Sequence, residues 1–217
     1  MVITFDLDGT LIDSVRDLAS TASDLAIAYG GRALSLDDVG LMVGEGASVL
    51  VKRALAAAGV DPETPGALPR FLSMYQQRLL DTTIPYHGVP EMLMLASRRA
   101  RLSVLTNKPL AASERILDAL GLAGYFERVI GGDSPFGRKP DPAALRDLGS
   151  GAEHVVMVGD SPIDEATAQA AGSVFVWARY GFGAMRFEAP PDTPYVLDRP
   201  SDLAAIVDRV VHVHSGR

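Results

Sequence analysis

The chain of 217 residues contains no cysteine, which removes disulfides, thiolate metal sites and every mechanism with a cysteine nucleophile. It also lacks any run near the roughly 18 uninterrupted apolar residues that would suggest a membrane span. The opening, Met1-Val2-Ile3-Thr4-Phe5-Asp6-Leu7-Asp8, carries two acids where a secretory leader needs a basic start and a long apolar stretch. A cytoplasmic protein with no membrane partner is expected. Basic residues are the minority: 20 Lys and Arg face 27 Asp and Glu, for a net charge of -7. That balance opposes the backbone charge of nucleic acid, so no nucleic-acid partner is expected. Repeats and low-complexity tracts are absent, and the Pro-rich piece Ala189-Pro190-Pro191-Asp192-Thr193-Pro194 reads as a surface loop. Hydrophobic residues make up 47% of the chain, enough at this length for a substantial core with a small accessory domain.

What is present is an alternation. Short apolar, β-branched runs at Val2–Phe5, Leu102–Thr106, Val129–Ile130, Val155–Val158 and Val174–Trp177 read as strands. The run Val155-Val156-Met157-Val158 has no polar residue on either face, as expected of a parallel strand covered on both sides. Helical spacing appears between the runs, at Glu91–Ala100, Leu110–Leu120, Pro142–Leu148, Ile163–Ala171 and Asp202–Val210. The expected fold class is α/β, a doubly wound, Rossmann-like parallel sheet. From Ser14 to Thr83 the alternation stops: helical patterns at Val15–Tyr29, Ala47–Ala58 and Leu68–Leu80 follow one another without a convincing strand. This reads as an inserted helical cap at 14–83, with the α/β core formed by 1–13 and 84–217. The cap holds six basic and eight acidic residues and the core 14 and 19, so neither part is a basic module.

Ligands of open parallel sheets bind beyond the carboxyl ends of the strands. The first strand ends in Asp6-Leu7-Asp8-Gly9-Thr10, the second in Thr106-Asn107-Lys108, and a later one in Gly159-Asp160-Ser161-Pro162-Ile163-Asp164. Lys139 stands in Gly137-Arg138-Lys139-Pro140-Asp141-Pro142, before another helix. If Asp6, Asp8, Asp160 and Asp164 converge, they raise one another's affinity for protons unless a cation compensates. An all-oxygen set of this kind favours a hard ion, so Mg2+ is the expected cofactor. An ion and one lysine leave room for a further anion, and phosphate fits, because its transfer demands in-line geometry and neutralised oxygens. A carboxylate can then act as nucleophile, and its neighbour two residues on can serve as acid and base. Two decoys fall away. Gly132 to Gly137 has P-loop spacing, but Arg138-Lys139-Pro140 follows where Lys and Ser or Thr are required. His212-Val213-His214 reads as a terminal tail.

The stretches DLDGTLIDS (6–14), LTNKP (105–109), RKPDP (138–142) and VGDSPIDEATAQAAG (158–172) together resemble the haloacid dehalogenase superfamily, in that family's order and over nearly the whole chain. The resemblance implies an aspartyl-phosphate mechanism. Asp6 is then nucleophile and metal ligand, and Asp8 is the general acid and base that also lends its backbone carbonyl to the metal. Thr106 and the Asn107 amide bind phosphoryl oxygens, and Lys139 offsets charge on Asp6 and the phosphate. Asp160 is a further metal ligand, while Asp164 orients waters or Lys139. The acid at Asp8 points to a phosphatase, since a halide leaving group needs no acid. Gly44-Glu45-Gly46 before a helix, with TNKP and Ile130-Gly131-Gly132-Asp133, is similar to the phosphoglycolate phosphatase branch. Gly44 and either Lys52 or Arg53 are then expected to meet the substrate, a small phosphate ester with 2-phosphoglycolate as the first choice. His87 in Tyr86-His87-Gly88 stands where that branch often shows Pro-Gly. Phosphosugar phosphatase, pyrophosphatase, phosphosugar mutase and a catalytically silent binding protein are the alternatives, and a monomer or homodimer is expected.

Overall fold

The computed structural model describes residues 1–185 and 193–215, the side chains of 184, 185 and 213–215 apart. Of the surface loop expected at Ala189 to Pro194, residues 189–192 lie outside the described residues. In chain order, β1 (Val2–Phe5) and β2 (Ile12–Asp13) precede four helices, α1 (Val15–Ala28), α2 (Leu36–Gly40), α3 (Ala47–Ala57) and α4 (Ala67–Gln77). Strand β3 (Ile84–Pro85) and helix α5 (Val89–Ala96) follow, then β4 (Arg101–Leu105), α6 (Leu110–Ala119) and β5 (Arg128–Ile130). The chain continues through α7 (Ala143–Leu148), β6 (Val155–Gly159), α8 (Pro162–Ala171), β7 (Val174–Ala178), β8 (Val196–Leu197) and α9 (Leu203–Ser215). The two-residue strands and the short α2 are the elements sequence periodicity does not show, because so few residues establish no repeat.

Six strands form one parallel sheet in the order β5-β4-β1-β6-β7-β8. Its interior alternates by the two-residue period of a strand, but both sides are apolar. Val156, Val158 and Val176 face one hydrophobic cluster with residues of α5, α6 and α9, while Met157, Phe175 and Trp177 face a second with α7 and α8. The chain moves outward from β1 through β4 to β5, then returns to β6 on the other side of β1. This reversal opens a crevice beyond the carboxyl ends of β1 and β6.

The four helices α1 to α4 leave and rejoin the rest of the chain through a small antiparallel ladder, Ile12 opposite Pro85 and Asp13 opposite Ile84. Helix α1 touches α2, α3 and α4. Asp17, buried in the first turn of α1, accepts hydrogen bonds from the backbone N–H and hydroxyl of both Thr82 and Thr83. One carboxylate thus fastens the start of the helical segment to its return. Burial raises the carboxyl's proton affinity, and the bonds from Thr82 and Thr83 more than reverse this, leaving it below the usual carboxylate range. Apolar packing is continuous across the junction, since Leu18, Leu25, Leu55 and Phe71 share a cluster with Ile3, Phe5 and Val158.

Candidate active site

Three carboxylates and a lysine meet at the crevice. Asp6 follows β1, Asp160 follows β6, and Asp164 stands in the first turn of α8. Oxygens of the three lie within 4.8 Å of one another, and all three residues are buried. Lys139, buried between them, places Nζ 2.7 Å from Asp6 Oδ1 and 2.6 Å from Asp164 Oδ1. Burial favours the neutral amine, yet Asp164 and Asp6 outweigh it and raise the lysine's proton affinity above its ordinary value. Burial also lifts Asp6, opposed by Lys139 and reinforced by Asp164, so that its carboxyl is pushed up to about 7. Asp160 is raised well above the ordinary value by burial and by the charges of Asp6 and Asp164.

Asp164 has two tasks. Ser161 caps α8, and Asp164 completes the reciprocal capping box, its Oδ2 accepting from Ser161 N at 3.2 Å and Ser161 Oγ at 2.6 Å. The cap of α8 is thus Ser161, and Asp160, one residue earlier, turns to the crevice. Asp160 Oδ2 accepts a bond from Gly183 N at 2.8 Å. Around it the backbone is packed too closely for side chains: a Cβ on Gly9, which has φ +92°, would sit 2.1 Å from Asp160 Oδ2, and one on Gly183 would sit 1.5 Å from Asp160 O. The loop from Arg179 to Gly183, unassigned by sequence alone, is thereby tied to the site.

Asp8 stands apart from this cluster and has its own cation. Lys108 Nζ lies 2.9 and 3.0 Å from the two Asp8 oxygens and 2.7 Å from the hydroxyl of Tyr75, on α4. Ser14, the N-cap residue of α1, makes no capping bond and donates its hydroxyl to Asp8 Oδ1 at 2.5 Å. A favourable local interaction, ordinarily worth about 1 kcal/mol, is replaced by one that orients the carboxylate. Lys108 lies in the TNKP stretch, so its presence was legible, whereas its alignment on Asp8 and the part of Ser14 and Tyr75 depend on contacts between distant segments.

Thr106 and Asn107 are both buried at the end of β4. The Asn107 side chain latches two loops: Nδ2 donates to the carbonyls of Gly44 and Lys139, each at 3.2 Å, and Oδ1 accepts from Lys139 N at 2.9 Å. Gly131-Gly132-Asp133 supports this loop from below. A Cβ on Gly132 would approach Asn107 O to 2.4 Å, and Asp133 Oδ1 accepts the Leu110 N–H at the start of α6. Beside Asp6 and Asp8 opens a cavity of about 230 Å³ whose walls include Gly44, Thr106, Asn107 and Lys108 together with Leu50 and Phe71. Lys52 and Arg53 do not line it. Lys52 pairs with Glu63 on the exposed side of α3, and Arg53 Nη2 pairs with Glu45 at 2.6 Å. The helix turns residues 47 and 50 toward the cavity, leaving 52 and 53 beside it.

Asp6 and Asp160 are the groups positioned to receive a metal, because both Asp164 oxygens are already engaged by Lys139 and Ser161. The donors are all oxygen, and three carboxylates exceed the single charge of Lys139, which fits a hard divalent cation. A doubly wound sheet that gathers a carboxylate after β1, a second acid two residues on and a lysine-paired acid cluster at one crevice could hold a cation and an anionic group together. The profile of the haloacid dehalogenase-like hydrolases matches residues 3–178. The chain is 42% identical over 192 residues to the phosphoglycolate phosphatase of Rhodospirillum rubrum, covering 83% of this chain and 80% of that one. It is 40% identical over 188 residues to the phosphoglycolate phosphatase of Caulobacter vibrioides, with 83% and 79% covered. The crystal structure of a "predicted phosphoglycolate phosphatase" from Haemophilus somnus superposes with a TM-score of 0.85 at 29% identity, covering 95% of this chain and 97% of that one. The chain belongs to the haloacid dehalogenase-like hydrolase family and is an enzyme of its phosphatase kind. Among the described residues, no helix is long and apolar enough to cross a membrane.

Proposed function

We propose that the protein is a magnesium-dependent phosphomonoesterase working through an aspartyl-phosphate on Asp6, with 2-phosphoglycolate as its substrate. The observation that carries this reading is the separation of two carboxylates two residues apart into two environments. Asp6 is grouped with Lys139, Asp160 and Asp164, while Asp8 is held by Ser14 and Lys108 beside the cavity. One is placed for the phosphorus and the other for the leaving oxygen.

Lys139 engages one Asp6 oxygen, and the other attacks phosphorus. The bond from phosphorus to the leaving oxygen breaks, and Asp8, as general acid, gives that oxygen its proton. Glycolate departs. A water then gives a proton to the Asp8 carboxylate and attacks the phosphorus, releasing phosphate and restoring Asp6. Asp6, Asp160 and the Asp8 carbonyl would hold the magnesium, which when bound would supply positive charge to the phosphoryl oxygens. Thr106 and the Asn107 amide bind those oxygens, and Asp164 keeps Lys139 on Asp6. The helices of 14–83 act as a cap over the crevice of 1–13 and 84–217, excluding water before transfer. The relatives' names support the substrate, and the largely apolar wall, with Leu18, Leu50, Phe71 and Leu72, favours a small leaving group over a sugar with many hydroxyls.

The test is phosphate release, with and without magnesium, from 2-phosphoglycolate, sugar phosphates, nucleotides and pyrophosphate, beside Asp6→Asn. The reading predicts a preference for 2-phosphoglycolate and a loss of at least about 10⁴-fold in the variant. Broad, weak release would withdraw the substrate, and an active Asp6→Asn would withdraw the mechanism.

A further inference from the structure

We propose that Lys108, seated by Tyr75, recognises a carboxylate on the leaving group, and that it, rather than a cation of the helical segment, makes the enzyme selective for anionic leaving groups. The inference rests on the phosphomonoesterase reading and assigns the specificity of that same site.

Among the described residues, Lys108 is the one cation in the cavity wall: Lys139 pairs with Asp6 and Asp164 without lining it, and Lys52 and Arg53 pair with acids elsewhere. Its ammonium is buried and faces a cavity lined largely by aliphatic and aromatic side chains. A charge pair in such surroundings is screened far less than on the surface.

Position then decides what Lys108 can meet. Asp8 must reach the leaving oxygen, and Lys108 Nζ contacts both Asp8 oxygens. A carboxylate one carbon removed from the leaving oxygen falls within reach of the same ammonium. The three N–H bonds of Lys108 go to the two Asp8 oxygens and Tyr75. A bound carboxylate takes over one of the Asp8 bonds, while Tyr75 holds the nitrogen in place. Tyr75 also presents its ring to the ammonium, 4.6 Å from the centroid, and stacks on Phe71 one turn earlier in α4. Tyr75 is thus a positioning residue carried by the helical segment: Lys108 is correctly held when that segment is seated on the core.

The test compares kcat/KM for 2-phosphoglycolate with that for 2-hydroxyethyl phosphate, in which CH2OH replaces the carboxylate. Wild type, Lys108→Met and Tyr75→Phe are each assayed with magnesium after thermal melting confirms folding. The expected result is a wild-type preference for the anionic ester that falls at least tenfold in Lys108→Met and severalfold in Tyr75→Phe. Lys108→Met slowing both esters by one common factor would overturn the proposal, because Lys108 would then serve Asp8 alone. If Lys108→Met does not fold, Tyr75→Phe decides: it removes a single oxygen, and an unchanged preference overturns the proposal. A wild type that cleaves both esters equally defeats this inference while the phosphatase reading stands. A folded wild type that cleaves no ester of the wider panel defeats both.

Discussion

The sheet end and the helical segment place charged side chains by different rules. At the sheet end, Asp6, Asp160 and Thr106 follow β1, β6 and β4, so neighbouring parallel strands deliver them to one crevice whatever the surrounding side chains do. In the helical segment, a residue's direction depends on how each helix is rotated about its axis. Lys52 and Arg53 stand two and three positions beyond the cavity-lining Leu50, yet end in pairs with Glu63 and Glu45. Charge at the sheet end is buried and mutually constrained, whereas most charge on the helices is paired at the surface. The helical segment's main electrostatic link to the site is a phenol, Tyr75, reaching a lysine of the core.

Substitutions can sharpen this contrast. The largest stability effect is expected at the sheet end. Lys139→Met leaves Asp6 and Asp164 buried without their cation, and chemical denaturation should show a loss of about 3–5 kcal/mol. A loss below about 1 kcal/mol would mean that the cluster is not held by its charges. Asp17→Asn, which weakens the fastening of the helical segment, should cost about 2–3 kcal/mol at pH 7. Here pH gives a second reading. The Asp17 carboxyl is held below its ordinary range by the threonines, so its contribution is fully present above the unfolded value near 4 and is lost as pH falls through the folded one. The gap in melting temperature between wild type and Asp17→Asn should therefore narrow below about pH 4, and a gap that widens there would contradict the assigned bonds. The smallest effect is expected at Arg53→Ala. Its pair with Glu45 is part-exposed, so stability should change by less than about 1 kcal/mol. The preference between the anionic and neutral esters should stay within threefold of wild type, and a tenfold fall would return carboxylate recognition to the helical segment.

Legibility follows the same division. An apolar run that stops abruptly at Asp6 or Asp160 announces both a strand and its functional end, and the order of such ends shows the fold. Asp164 reads from the sequence as an acid that orients waters or Lys139, and its contacts are with Lys139 and, through a capping box that sequence reading passes over, with Ser161. Ser14 was not readable, because its capping position predicts a bond to its own helix and the hydroxyl goes to Asp8 instead. Lys108 and Tyr75 meet across 33 residues of sequence, and Gly183 reaches Asp160 across 23. Such contacts leave no periodic trace, since packing between segments decides them.

The central claim is that Asp6 becomes covalently phosphorylated while Asp8 does not. The most direct measurement is acid quenching during turnover of 2-phosphoglycolate with magnesium, followed by mass spectrometry of the digested chain. A single phosphoryl group on Asp6, absent from Asp6→Asn and formed as fast as phosphate is released, is the predicted result. Steady phosphate release with no phosphoryl group on Asp6, or with the group on Asp8, would contradict the account.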